Sequence, residues 1–153
     1  MTGTADERIT LAGLLLEAAA ALTCSTVPTL EAHGLSHQWF EALLRLARTP
    51  EGRLRMSDLA ASMTSISPSG LTRVVDRLEA AGLVRREQCP TDRRSAYAAI
   101  TDLGRCRVDE VLPDHLEDLD RAYVGLFSER EARQLEKLLR RVRDAHDAPP
   151  AEE

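Results

Sequence analysis

The sequence has few aromatic residues and few cysteines, and both shortages exclude classes of function. Phe, Trp and Tyr together make up 3% of the 153 residues, which is too few for a surface that stacks the bases of single-stranded nucleic acid. The cysteines, Cys24, Cys89 and Cys106, include no CxxC pair and are odd in number. This pattern fits neither a disulfide framework nor a zinc site. We therefore expect no metal and no cofactor.

Long hydrophobic runs and enzyme motifs are also missing. The most apolar stretch, residues 11–22, is interrupted by Glu17 and is shorter than the run of about 20 apolar residues that spans a bilayer, so we expect no membrane partner. Asp6 and Glu7 near the N-terminus do not fit a signal peptide, which predicts a cytoplasmic protein. No phosphate-binding glycine loop, HExxH or GxSxG motif occurs, so we expect no enzymatic activity.

The net charge of −5 conceals an uneven distribution along the chain. Residues 51–107 contain ten arginines and seven acidic residues, whereas the rest of the chain contains ten basic and eighteen acidic residues. Because local charge determines attraction to phosphate, this segment can bind nucleic acid although the whole chain is acidic. We expect the acidic parts to face away from such a partner.

Hydrophobic periodicity and capping residues predict helices before the basic segment and at its start. Residues 5–33 carry apolar side chains at helical spacing. Pro28 is expected to kink or end this helix, and Gly34 is a plausible stop. Ser36 is placed to cap a second helix, and Ser57 to cap a third.

The fourth helix and the hairpin after it form the most specific pattern. Ser67 followed by Pro68 indicates a helix start, because proline at the first helical position loses no hydrogen bond. Gly82 supplies a left-handed end. The side chains predicted to be buried on this helix are Leu71, Val74, Val75 and Leu78. Residues 83–87 and 96–100 are strand candidates around a basic turn.

Two more helices are predicted after residue 101, and their apolar side chains form a long seam. Pro113 is expected to bend the first of them. Ser128 and Glu131 fit a capping box at the start of the second. So small a domain offers no evident partner for the seam.

A helix that begins with small hydroxyl residues and continues into arginines can enter the major groove of DNA. Its free N–H groups and positive dipole end suit phosphate or base acceptors. Arg73 is placed for a bidentate contact with a guanine edge, and Arg77, one turn further on, for a contact with phosphate. In the hairpin, Asp92 can hold the guanidinium of Arg94 by a charge-assisted bond. Arg93 and Arg94 would then reach a narrow minor groove.

Several short motifs between residues 34 and 104 occur in a fixed order. They are Gly34-Leu35-Ser36, Ser57-Asp58-Leu59-Ala60, Thr72-Arg73-Val74-Val75-Asp76-Arg77-Leu78-Glu79, Asp92-Arg93-Arg94 and Ile100-Thr101-Asp102-Leu103-Gly104. Together they resemble the MarR family of winged helix-turn-helix repressors. The resemblance covers residues 30–107 well and extends to the flanking helices by length and pattern only.

The resemblance implies a mainly α fold with a small β-wing, in which a winged helix-turn-helix is flanked by N- and C-terminal dimerisation helices. The expected parts are an N-terminal dimerisation helix at 1–36, a winged helix-turn-helix DNA-binding domain at 37–100, C-terminal dimerisation helices at 101–146 and a disordered tail at 147–153. A homodimer would bury the apolar stripes of the flanking helices across a two-fold axis.

The resemblance also implies a function, namely sequence-specific regulation of transcription at a pseudo-palindromic operator in double-stranded DNA. The residues that it assigns to base reading are Ser67, Ser69, Thr72 and Arg73. It assigns Arg77 to the DNA backbone and Arg94 to the minor groove.

Control by a small molecule is a further implication of the resemblance. It implies repression relieved by a small phenolic or anionic effector that binds between the dimerisation helices and the winged domain. The candidate wall of the effector pocket is formed by Trp39, Phe40 and Leu43, because the cleft borders the second helix.

The first of three alternatives to this interpretation is thiol-based redox sensing through Cys24. This residue lies on the first helix, as does the reactive cysteine in a peroxide-sensing branch of the family. No tyrosine or base is evident beside Cys24, and a small packed thiol is the simpler interpretation.

The other two alternatives are a metal site and a different kind of partner. His33 and His37, with Glu31 or His115, could form a site like those of zinc-sensing relatives, although hydrogen-bonded histidines are more usual. A winged helix that serves as a protein-interaction module would keep the fold without needing the basic residues of the fourth helix and the hairpin together.

Overall fold

The computed structural model describes residues 6–63, 66–88 and 96–147. In chain order they form helices α1 (Glu7–Ala32) and α2 (His37–Ala47), strand β1 (Arg53–Arg55), helices α3 (Met56–Ser62) and α4 (Pro68–Ala80), strands β2 (Val84–Gln88) and β3 (Ala96–Ile100), and helices α5 (Asp102–Ala122) and α6 (Glu129–Asp147). A short 3-10 helix, Val124–Leu126, joins α5 to α6. The expected mainly helical fold with a small β-wing is confirmed.

The sheet has the strand order β1-β3-β2, and both pairings are antiparallel. Val84 lies opposite Ile100 in the hairpin, and Arg53 lies opposite Ala99 at the other edge. The expected strand at 96–100 is confirmed, whereas the one expected at 83–87 begins and ends one residue later. Strand β1 was not predicted, because three residues are too few for an alternating pattern and their partner lies far along the chain.

The capping residues confirm several predicted helix ends. The Oγ atom of Ser36 accepts a hydrogen bond from the backbone N–H of Trp39 at 3.2 Å. At the start of α6, the N–H of Ser128 donates to Glu131 Oε2 at 2.9 Å, and the N–H of Glu131 donates to Ser128 Oγ at 3.4 Å. Gly34 ends the first helical segment with a φ of 70°, a conformation that favours glycine.

The cap expected at Ser57 is wrong, and of the two effects expected of Pro28, a kink or an end of the helix, the end does not occur. Helix α3 begins at Met56 with Arg55 at its N-cap, and Ser57 lies inside the first turn, with its hydroxyl 3.2 Å from Asp58 Oδ1. Strand β1 runs directly into α3, which leaves no free turn position for a serine cap. Pro28 does not end α1, which continues to Ala32, because a proline removes only one intrahelical hydrogen bond.

The hydrophobic core lies between α2, α3, α4, the sheet and the first half of α5. Its fully buried side chains include Leu43, Leu46, Leu59, Val75 and Val111. The predicted buried stripe of α4 is confirmed, because none of its four side chains is more than 5% exposed. Helix α4 is thereby fixed against the core along one face, and its other face is left to solvent.

Leu30 near the end of α1 belongs to this core as well, but the rest of α1, the second half of α5 and α6 carry large apolar side chains that a single chain leaves exposed. Those on α1 are Ile9, Leu11, Leu14, Leu15 and Leu16, and those on α6 are Leu138, Leu139 and Val142. Leu116 on α5 and Leu126 in the 3-10 helix are exposed as well. Within the described residues, no side chain of α6 is fully buried. Single chains rarely leave so much contiguous apolar surface in water.

The expectation that no helix has the composition of a membrane span needs a correction. Helix α1 is long and apolar enough to cross a bilayer, judged by length and mean hydropathy alone. The apolar segment is longer than residues 11–22, because the helix continues on both sides of them. A core helix of a soluble protein can have the same composition. The apolar surface of α1 therefore has to be covered, but its composition does not identify what covers it.

Gly104 provides a test of how closely α5 packs on the hairpin. This residue is buried in the first turn of α5, and a Cβ atom there would come closer than 3.0 Å to the backbone carbonyl oxygen of Leu83 and to the Ile100 side chain. We predict that Gly104→Ala lowers the free energy of unfolding by about 1–3 kcal/mol, because neither neighbour can yield without shifting the core. Chemical denaturation at a fixed protein concentration measures this difference.

The matched control is Asp109→Ala, an exposed position on the same helix, which should change the free energy of unfolding by less than about 0.5 kcal/mol. An unchanged denaturation midpoint for Gly104→Ala would show that α5 is not packed as described.

Candidate nucleic-acid interface

Helix α4 presents its first turn to solvent. Ser67 Oγ accepts a hydrogen bond from the N–H of Gly70 at 3.2 Å and lies 3.2 Å from Ser69 Oγ. Ser67 and Ser69 are exposed, and so is Thr72 in the next turn. The predicted hydroxyl residues therefore lie together at the N-terminal end of the helix, where free backbone N–H groups and the helix dipole attract anions.

Arg73 and Arg77 lie on the exposed side of α4, one turn apart. Within residues 6–63, 66–88 and 96–147, neither guanidinium forms an ion pair or a side-chain hydrogen bond. Their charges are therefore available to an external anion. The buried stripe behind them keeps the backbone of α4 fixed, so these arginines project from a rigid support.

Arg86 ties the strand that follows to the exposed side of α4. Its guanidinium lies 2.6 Å from Asp76 Oδ1 and 2.9 Å from Glu79 Oε2, and its backbone N–H donates to Glu79 Oε1 at 2.9 Å. Burial alone would lower the pKa of Arg86, but the bonds to Asp76 and Glu79 outweigh it and raise this pKa. The two carboxylates of α4 are thus compensated within the protein.

A second ion-pair network ties together the sheet strands. Glu87 lies 2.7 Å from Arg85 and 3.1 Å from Arg53, and the hydrogen bond from Arg53 is the largest cause of its lowered pKa. Arg53 also lies over the ring of Tyr97 on β3, with its guanidinium carbon 5.1 Å from the ring centroid. The arginines of β1 and β2 therefore serve internal contacts.

Neither ion-pair network has a local signal in the sequence. Asp76 and Arg86 are ten positions apart, and Arg53 and Glu87 are further apart still, so no local spacing signals either pair. Only the antiparallel arrangement of the strands beside α4 brings them together. Three wing residues assigned from the sequence, Asp92, Arg93 and Arg94, lie outside the described residues.

A large open groove lies between α2 and α6. Its volume is about 1060 Å³, and four arginines, Arg45, Arg48, Arg140 and Arg143, line it together with apolar side chains. A smaller cavity of about 220 Å³ lies between α1, α2 and α5. The predicted pocket residues are not brought together in either: Phe40 lines the smaller cavity, Leu43 is fully buried in the core, and Trp39 packs at the edge of the core.

The other candidate residues lie apart from α4. Cys24 and Cys106 are exposed free cysteines in the single chain, and Cys89 lies outside the described residues. His33 Nε2 lies 2.8 Å from Asp114 Oδ2, which occupies this histidine in a contact between α1 and α5. Among the residues that the structure describes, no group of three or more His, Cys, Asp and Glu side chains is arranged to hold a metal ion.

Comparison with known proteins gives consistent results. A family model described as MarR family matches residues 33–95. The uncharacterized HTH-type transcriptional regulator YkoM of Bacillus subtilis (strain 168) is 37% identical over 110 residues, which are 72% of this chain and 69% of that protein. The transcriptional repressor MprA of Escherichia coli (strain K12) is 31% identical over 113 residues, which are 74% of this chain and 63% of that protein.

One solved structure extends the likeness to the whole chain. The crystal structure of Sco3205, a MarR family transcriptional regulator from Streptomyces coelicolor in complex with DNA, is 32% identical with a TM-score of 0.82. The match covers 100% of this chain and 94% of that one. By contrast, this chain spans less than two thirds of the length of MprA.

Proposed function

Because the chain belongs to the MarR family of transcriptional regulators, we propose that it binds a pseudo-palindromic operator in double-stranded DNA as a homodimer in the cytoplasm. It represses transcription there until a small molecule lowers its affinity for DNA. The observation that carries the proposal is the exposed pair Arg73 and Arg77 on α4, which no carboxylate of the described residues neutralises. MprA is a transcriptional repressor and the structure of Sco3205 is a complex with DNA, and both similarities support the same function.

Helix α4 is the element that reads the major groove. Ser67, Ser69, Thr72 and Arg73 face base edges, and Arg77 contacts the phosphate backbone. The ion pairs of Arg86 favour this assignment, because they compensate the negative charge of Asp76 and Glu79 on the same helix. The proposal extends to the wing residues assigned from the sequence, where Asp92 would orient Arg94, with Arg93, towards the adjacent minor groove.

A second copy of the chain covers the apolar side chains of α1, α5 and α6. The exposed residues on these helices form the seam that has no partner within one chain, and Leu11 and Leu16 on α1 are 72% and 71% exposed. Two copies related by a two-fold axis bury identical surfaces. Both α4 helices are then held at the spacing of two half-sites, about one turn of DNA apart.

The groove between α2 and α6 is where we place a phenolic or anionic effector. Arg45, Arg48, Arg140 and Arg143 line it together with Glu136. Arg45, Arg140 and Arg143 already pair with Glu41, Glu136 and Asp144, so within the described residues Arg48 is the guanidinium left for a carboxylate or phenolate, while the apolar side chains suit an aromatic ring. One wall belongs to the winged domain and the other to the C-terminal dimerisation helix. A ligand that prefers one separation of these parts therefore shifts the distance between the two α4 helices.

The two alternatives, redox sensing and a protein-interaction module, are supported to different degrees. Cys24 is exposed in the single chain, which keeps its thiol accessible to an oxidant before dimerisation, and redox control through Cys24 stays a second prediction. A protein-interaction module requires no free arginines on α4, so the unpaired charges of Arg73 and Arg77 favour DNA over a protein partner.

Substitution of the two arginines tests the DNA-binding surface. On an operator selected from random duplexes, Arg73→Ala should weaken binding by about 1–3 kcal/mol and relax the preference for one base pair, because the bidentate contact is lost. Arg77→Ala should weaken binding to all sequences alike and reduce the slope of log affinity against log salt by about 1. Fluorescence anisotropy titrations over a range of salt concentrations measure both effects.

The control for these variants is Arg133→Ala on α6, where the arginine is paired with Glu129 at 3.1 Å. It should bind the operator as the wild type does. If Arg73→Ala and Arg77→Ala also bind unchanged, or if affinity does not depend on salt, α4 is not the DNA-reading helix.

A charge placed in the apolar face of α1 tests the dimer. Leu16→Glu should raise the dimer dissociation constant at least ~100-fold, because an unpaired carboxylate would be buried between two chains. Sedimentation equilibrium measures the change. The matched control is Leu103→Glu, an exposed leucine in the first turn of α5 that lies beside Gly82 of the winged domain and outside the dimer seam; it should leave the dimer intact. A wild-type chain that is monomeric at micromolar concentration would contradict the proposal.

A further inference from the structure

Helix α4 carries a carboxylate that competes with DNA for Arg73. Asp76 follows Arg73 by three positions, and side chains three or four positions apart are neighbours on a helix surface. Both residues lie on the exposed side of α4, and the Asp76 side chain is 54% exposed. An ion pair between them would withdraw the Arg73 guanidinium from an external partner.

The same spacing forms ion pairs elsewhere in this chain. Two pairs on α5 have it, namely Arg107 with Glu110 at 2.5 Å and Asp118 with Arg121 at 3.4 Å. Arg73 and Asp76 have the spacing without the bond, because Arg73 forms no ion pair with any described residue. A further contact therefore has to keep Asp76 away from Arg73.

Arg86 on β2 makes this contact. Its Nη1 atom lies 2.6 Å from Asp76 Oδ1 and 2.9 Å from Glu79 Oε2, so one nitrogen bridges both carboxylates. The Arg86 side chain is only 31% exposed, and salt screens such a partly buried ion pair less than a fully exposed one. Asp76 is thereby paired across to the strand and not along the helix to Arg73.

The attachment of β2 to α4 does not depend on this guanidinium. The backbone N–H of Arg86 donates to Glu79 Oε1 at 2.9 Å, and Val84 at the start of the strand is buried in the core. All five residues of β2 pair with β3. A change of the Arg86 side chain therefore removes its charge and leaves the strand in place.

We propose that Arg86 is a positioning residue for base specificity: it keeps Asp76 paired with β2 and so leaves Arg73 free to contact a guanine edge. This inference rests on the proposed function, in which Arg73 reads a base. Arg86 acts through Asp76 and makes no contact with DNA. Without its guanidinium, Asp76 pairs with Arg73, and the bidentate contact that discriminates between base pairs is lost.

The positions along α4 restrict this effect to Arg73 and Asp76. Arg77 is one position from Asp76 and two from Glu79, and side chains at these spacings do not face each other. Glu79 is six positions from Arg73, which is out of reach along the helix. Loss of the Arg86 charge therefore removes the base contact of Arg73 and leaves the phosphate contact of Arg77.

Two duplexes and three variants of the full-length protein test this role. The duplexes are the selected operator and a copy changed at the one base pair to which Arg73→Ala is insensitive, and fluorescence anisotropy gives the ratio of their affinities. Arg86→Gln should lower this ratio about fivefold or more. Adding Asp76→Asn to Arg86→Gln should restore the ratio, because no carboxylate is left to pair with Arg73. Adding Glu79→Gln instead gives the same net charge and should not restore it.

The matched control for the loss of one charge is Arg85→Gln, the preceding residue of β2, whose guanidinium pairs with Glu87 at 2.7 Å. It should leave the ratio of the two affinities unchanged. Circular dichroism checks that each variant is folded, and Arg86→Met, which keeps the aliphatic part of the side chain, replaces Arg86→Gln if that variant is not.

Three results would overturn the inference while the proposed function stands. They are an unchanged ratio in Arg86→Gln, equal restoration by Asp76→Asn and Glu79→Gln, and an equal loss in Arg85→Gln, each with a wild type that prefers the operator. A wild type without affinity for any DNA duplex would instead refute the regulator and the inference together.

Discussion

The constraint on which the rest of the structure depends is the apolar surface of α1, α5 and α6 that one chain cannot cover. Large aliphatic side chains along these helices lie in water in the single chain, and their exposure opposes the isolated state. In the homodimer that we propose, a second copy covers them, so the dimer would be a condition of stability. The same contact would then fix the distance between the two winged domains, so cohesion and DNA geometry would follow from one interface.

Within the winged domain, arginine side chains are either paired inside the protein or left for an external partner. Most of its described arginines are committed to contacts inside the protein: Arg86 holds β2 to α4, and Arg53 and Arg85 share Glu87. Arg73 and Arg77 are left for an external anion. An acidic protein can therefore attract phosphate through one face of one helix, because the nearby carboxylates already have partners.

The sequence predicted what depends on neighbours along the chain. The caps at Ser36 and Ser67, the left-handed Gly34 and Gly82, and the stripe on α4 are local signals, and the helices that they delimit were found within one or two residues. It missed what depends on distant residues: strand β1, the pairing of Arg86 with Asp76, and the small cavity between α1, α2 and α5. Each of these joins segments that only the complete fold brings together. The wing contacts of Arg93 and Arg94 stay predictions from the sequence.

The most direct test of the central claim, that paired chains hold two α4 helices at a fixed spacing, is a hydroxyl-radical footprint on a selected operator. The account predicts two protected patches on one face of the duplex, with their centres about one helical turn, or 10–10.5 base pairs, apart. The patches should exchange under the two-fold symmetry of the site. A single patch, or uniform protection without a preferred sequence, would contradict it.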